Sequence, residues 1–143
     1  MMAALLHRRW IAALAAGSLG VDSGAALAQC TAAPGTLRAE GRATVVLFQP
    51  RLAPIKVGEM FTLDVVTCAK NADTNGEVRA LAVDATMPEH KHGMNYQPVV
   101  KKNGANTFAA TGLMFHMPGR WQFVFDIEMA AGRERVLHDL TIE

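Results

Sequence analysis

The fold class that the sequence predicts is all-β: a seven-stranded immunoglobulin-like antiparallel sandwich behind an N-terminal signal peptide. Three observations carry this. After residue 28 no segment sustains the 3.6-residue apolar period of a helix. Short runs alternating between apolar and polar residues recur instead, bounded by Gly, Pro, Asn and Asp. Seven such runs fit into about 100 residues, the density of a two-sheet sandwich.

Residues 1–28 have the three parts of a secretory signal. His7, Arg8 and Arg9 form a positive start, Trp10 to Val21 an apolar run, and Ala26-Leu27-Ala28 a small-residue cleavage site before Gln29. The apolar run is short and rich in Ala and Gly for a spanning helix, so the reading is an exported, soluble periplasmic protein without stable membrane insertion after cleavage. The alternative is a membrane tether through an uncleaved N-terminal segment. Residues 29–143 then form one domain, with 29–42 irregular.

The strands follow in order. Thr44 to Gln49 is the first, stopped by Pro50, and Pro54 and Gly58 punctuate the connection. Met60 to Thr67 is the second, with Phe61, Leu63 and Val65 on one face. Asn71 to Gly76 is a turn. Val78 to Met87 is the third, with Leu81, Val83, Ala85 and Met87 in register, closed by Pro88. A weak strand near Gln97–Lys101 and a return over Thr107–Thr111 flank the hairpin signal Asn103-Gly104. Trp121 to Met129 is the clearest strand, with Trp121, Phe123, Phe125, Ile127 and Met129 on one face. Ala130-Ala131-Gly132 turns the chain into the last, Arg135–Ile142.

The chain has 143 residues and a formal charge of +1; without Arg8, Arg9 and Asp22 it carries 12 basic and 12 acidic residues. A neutral domain without a basic run lacks the phosphate-neutralising charge that dominates nucleic-acid affinity. Export also gives Cys30 and Cys68 a meaning. In an oxidising compartment an even count favours one disulfide, and a loop of 38 residues would contribute about 4 kcal/mol through chain entropy. The rival use of the two thiols is as soft metal ligands.

Hydrolase, zinc-protease, nucleotide and dinucleotide motifs are all missing. What the sequence offers is donors. Three of the four histidines after the leader lie in two short segments with four methionines: Met87-Pro88-Glu89-His90-Lys91-His92-Gly93-Met94 and Met114-Phe115-His116-Met117-Pro118-Gly119. In extended backbone, His90, His92 and Met94 share one side, and so do Met114 and His116, with Met117 at the bend. The third and sixth strands of an immunoglobulin-like sandwich are antiparallel neighbours, which brings both segments to one pole. The candidate metal ligands are therefore His90, His92, Met94, Met114, His116 and Met117. Thioether sulfur suits Cu(I), and imidazole accepts either copper oxidation state; zinc has little use for methionine. Met87 reads as core, His138 as structural and Trp121 as the core tryptophan. Glu89 and Asp126 do not make an acid/base pair, since the strand pattern turns Asp126 to solvent.

The segments Met87-Pro88-x-His90-x-His92-Gly93-Met94 and Gly112-Leu113-x-x-x-Met117-x-Gly119-x-Trp121 resemble the YtkA-like domain family, small exported or membrane-tethered β-sandwiches related to FixH-type proteins. The resemblance spans Gly58 to Ile142. It implies an immunoglobulin-like fold and a link to copper or cytochrome-oxidase metal supply. The donor set is also similar in part to PCuAC-type periplasmic copper chaperones. Met94 and His116 have their spacing, but Val83 and Pro118 stand where that pattern has His and Met. The function expected is a non-catalytic copper carrier or scavenger serving a copper-donating or copper-receiving envelope protein. The alternative is a protein-interaction module of the cell envelope that binds no metal.

Overall fold

Alternation fixes which side of each segment leaves water. In Val78–Met87, residues Val78, Leu81, Val83, Ala85 and Met87 are buried, while Ala82 and Asp84 between them are exposed. In Gly119–Met129, Trp121, Phe123, Phe125 and Ile127 are buried on one face. Burying one such side chain is worth about 1.5–3 kcal/mol, so a one-residue slip of register would be heavily penalised.

The computed structural model describes residues 31–70 and 77–143. The expected leader 1–28, Cys30 and the Asn71–Gly76 turn lie outside the described residues. Among the described residues there are nine strands: β1 (Leu37–Glu40), β2 (Thr44–Pro50), β3 (Met60–Ala69), β4 (Val78–Met87), β5 (His92–Gly93), β6 (Val99–Lys102), β7 (Thr107–Met114), β8 (Gly119–Met129) and β9 (Gly132–Ile142). No helix among them is long and apolar enough to cross a membrane.

The strands build two antiparallel sheets, ordered β1-β2-β3-β7-β6 and β5-β4-β8-β9. Without β1 and β5, the orders β2-β3-β7-β6 and β4-β8-β9 reproduce the two sheets of an immunoglobulin constant-type sandwich. The strand count is therefore nine rather than the seven expected. One addition, β1, lies inside the stretch 29–42 that was expected to be irregular. It pairs Leu37–Glu40 with Val45–Phe48 at the edge of the sheet. The other is the two-residue β5, discussed below.

The inner faces meet in one aromatic core. Phe48 lies 4.9 Å from Phe125 and 5.3 Å from Phe123, and Phe115 stacks on Trp121 at 4.6 Å (ring centroids). Strand β2 is buried on both faces. Its outward Val45 and Leu47 form a second, small cluster with Cys68, and Val66 packs against it. Because Cys30 lies outside the described residues, the Cys30–Cys68 bridge stays an expectation.

Opposite ends of the sandwich are finished differently. At the end where β2 begins and β3 stops, Glu134 of β9 reaches across to the other sheet. Its carboxylate accepts hydrogen bonds from the backbone N–H of Arg42 and of Ala43 (2.9 Å) and from the Thr44 hydroxyl (2.6 Å). Partial burial alone would raise the Glu134 pKa, but these hydrogen bonds outweigh it and hold the carboxyl below its ordinary value. Gly41 is required beside it: a Cβ there would come within 2.7 Å of Val136 Cγ2 and 2.8 Å of Glu134 Cδ.

Candidate metal centre

The other end of the sandwich, where β4 stops and β8 starts, carries the donor-rich segments. Strand β4 pairs antiparallel with β8 through Thr86↔Gln122. The chain leaving β4 and the chain entering β8 consequently emerge side by side, the first bringing His90 and His92 and the second His116.

The first segment is a tight hairpin and not the extended run expected from its sequence. Pro88 to Lys91 turn, with His90 N–H donating to Met87 O at 3.0 Å and Lys91 N–H to Pro88 O at 3.4 Å. Lys91 closes the turn at φ 54°, the left-handed region that non-glycine residues seldom occupy. Glu89 in the turn pairs with Arg120 of β8 (3.1 Å), while Asp126 pairs with Arg135, so each of these carboxylates has its own cation. The chain then returns as β5 with the register Thr86↔Gly93 and Met87↔His92.

That register decides where His92 faces. Residues directly opposite in an antiparallel pair share a face, and Met87 is 1% exposed in the core. His92 is thereby turned to the inner side of the sheet, over the end of the core, and is half-buried. Its Nδ1 lies 3.3 Å from the Gly93 carbonyl. With a proton donated there, Nε2 keeps its lone pair for a ligand.

The second segment crosses from one sheet to the other. Phe115 is fully buried, and His116 and Met117 are half-buried. The Trp121 indole Nε1–H donates to the Met117 carbonyl at 3.0 Å, fixing the crossing against the core. Gly119 re-enters the sheet at φ 129°, where a Cβ would come 2.8 Å from Met87 Cε. Only glycine serves both requirements.

These two routes bring the imidazoles together. Ring centroids are 5.1 Å apart for His92 and His116, and 5.7 Å for His90 and His92. Both inner rings stand edge-on to Trp121, His116 at 5.3 Å and His92 at 6.2 Å. Trp121 is thus the floor beneath the histidines as well as a core residue, a role the apolar pattern of β8 does not reveal. His116 Nδ1 is buried and has no hydrogen-bond partner. Buried polar atoms are nearly always paired, and leaving one unpaired costs about 1–3 kcal/mol.

The six sequence-predicted ligands divide into three groups. His90, His92 and His116 form a row, with His90 at its exposed end. Met94 follows β5 and Met117 follows His116, both half-buried and packed against the core; Met94 N–H donates to Ala85 O at 3.2 Å, which continues the β5 pairing. Met114 is placed differently. It ends β7 directly opposite Met60 of β3, in the five-stranded sheet. His138 stands edge-on to Phe48 at 5.1 Å, in β9. Among the described residues no three His, Cys, Asp or Glu side chains converge on one point. The closest pair of imidazoles is therefore His92 with His116.

A groove of about 580 Å³ lies at the far end of the four-stranded sheet, lined by Ala80, Ala82, Asp126, Glu128, Arg133 and Arg135. It is the gap left by two alanines between cross-strand ion pairs and holds no imidazole or thioether. Compared with known proteins, the chain matches no family model, no curated protein and no solved structure. The resemblance to YtkA-like domains accordingly rests on the quoted residues alone.

Proposed function

We propose that this protein is a periplasmic copper carrier or scavenger without catalysis of its own, exchanging the ion with another envelope protein. The observation that carries the reading is His116 Nδ1, a buried nitrogen without a partner, 5.1 Å ring to ring from a second imidazole, that of His92. A structural histidine buries such an atom at a cost; a metal ligand needs it bare. His92 and His116 would hold Cu(II); His90, expected as a third imidazole ligand, stands at the exposed end of the row, and among the described residues no three such donors converge. His116 with Met94 and Met117, and Met114 at the margin, would hold Cu(I). The thioethers select against magnesium and calcium, and their number favours copper over zinc. The YtkA-like resemblance and the expected signal peptide support the same reading, with tethering by the N-terminal segment as the alternative location.

The test is anaerobic Cu(I) and aerobic Cu(II) titration against competing chelators, with zinc as control. Replacing Met94 and Met117 together by Leu keeps apolar volume, so the fold survives. Cu(I) affinity should fall at least about tenfold, ~1.4 kcal/mol, while Cu(II) binding changes much less. Equal small effects on both ions would make the methionines packing residues. No Cu(I) binding by the wild type would pass the argument to the interaction-module reading, which draws on exposed Tyr96 and Val99 just beyond the donor hairpin.

A further inference from the structure

Met60 belongs to neither donor-rich segment, and nothing in its sequence surroundings marks it as a ligand. The register of the five-stranded sheet changes its standing. Met60 and Met114 are direct partners at the last step of the β3–β7 ladder, followed by Phe61 opposite Leu113. Phe61 and Leu113 are buried in the core. Alternation therefore turns Met60 and Met114 together to the outer face. Met60 is 52% exposed, so its thioether is open to solvent. The ladder does not end there: Gly58 N–H donates to Phe115 O at 2.8 Å, so β7 stays paired one residue further, toward His116. His116 follows Met114 by two residues, a chain reach of at most about 7 Å.

We propose that Met60 and Met114 form a second soft-metal station, a two-thioether site for a monovalent cation such as Cu(I), through which the ion reaches or leaves the imidazoles. The proposal rests on the copper reading and adds to it a ligand and a route. Two thioethers are weak, polarisable donors suited to a soft monovalent ion and poor for hard divalent ones. A weak pair with one member, Met60, open to solvent beside a stronger half-buried set is a sensible arrangement for transfer, since the ion can pass by exchanging one ligand at a time with no change of oxidation state.

The experiment uses protein labelled with ¹³C at the methionine methyls, titrated with Ag(I) as a redox-inert stand-in for Cu(I), in the wild type and in Met60→Leu. Met60 lies half in solvent and Leu keeps its apolarity, so the variant folds, which an unchanged amide spectrum checks. In the wild type the Met60 and Met114 methyl signals should shift together. In Met60→Leu the Met114 shift should be lost, while the His92 and His116 ring signals still respond. A Met114 shift that survives Met60→Leu overturns the paired station. So does silence of both methyls while the imidazoles and Met117 respond, and that outcome leaves the copper reading standing. Silence of the imidazoles and of every methionine overturns both.

Discussion

The two ends of the sandwich handle buried polar atoms in opposite ways. Around Glu134 every donor that the turn leaves over finds an acceptor: two backbone amides and one hydroxyl meet one carboxylate. Around Trp121 the chain buries an imidazole nitrogen and gives it nothing. Both ends join the two sheets, and both are built from residues far apart in sequence. On the function proposed above, the difference separates a clasp from a receptor. A clasp is complete in the empty protein, whereas a receptor carries a deficit that its ligand removes.

The comparison can be broken most severely through Trp121, the one residue that serves both purposes at its end. Trp121→Ala removes a fully buried ring, its stacking on Phe115 and the hydrogen bond to Met117. The domain should lose about 3–5 kcal/mol, read from denaturant unfolding of the metal-free protein. A loss below 1 kcal/mol would mean the pole is not built on the core.

Glu134→Ala should come next, at about 1–3 kcal/mol, because it strands Thr44 Oγ1 and the Ala43 N–H at a partly buried turn. The clasp also has a pH signature. A carboxyl held below its ordinary value contributes stability that is complete above its unfolded pKa, ordinarily 4.5 for a glutamate. That stability is lost as pH falls through the lower folded value. Glu134→Gln should flatten this part of the acid limb, and an unchanged acid limb would show that the carboxylate's charge contributes nothing.

The smallest effect is expected at His116, and its sign matters more than its size. Replacing an unpaired buried nitrogen by carbon removes a desolvation cost, so His116→Leu should leave the metal-free protein at least as stable as the wild type, within about 1 kcal/mol. It should weaken Cu(I) and Cu(II) alike. A destabilisation as large as that of Glu134→Ala would show that His116 is a structural residue after all, and the two ends would then be of one kind.

Legibility from the sequence followed physical range. Strand β4 could be read to its first and last residue because its pattern is local: alternation inside, Pro88 as a stop. The neighbouring of β4 and β8 followed from sandwich topology, and with it the meeting of both donor segments at one pole. The hairpin β4–β5 was not legible, since it depends on Lys91 taking a left-handed backbone that its residue type does not announce. Extended geometry was the wrong route to the nearness of His90 and His92, which a turn produces. Met60 and Glu134 were invisible for a different reason. Each matters through a partner 54 or 90 residues away, and such pairing is a property of register that no local window contains.

His92 belongs to a hairpin of the four-stranded sheet and His116 to the chain just released by the five-stranded one. In the unfolded chain these two rings are strangers; the fold alone introduces them. Any ion that grips both therefore binds the closed sandwich in preference to the open chain, and by mass action it draws the population toward the closed form as its concentration exceeds its dissociation constant. On the proposed copper-carrier reading, the protein becomes harder to unfold, and so harder for proteases to digest, as the ion becomes available.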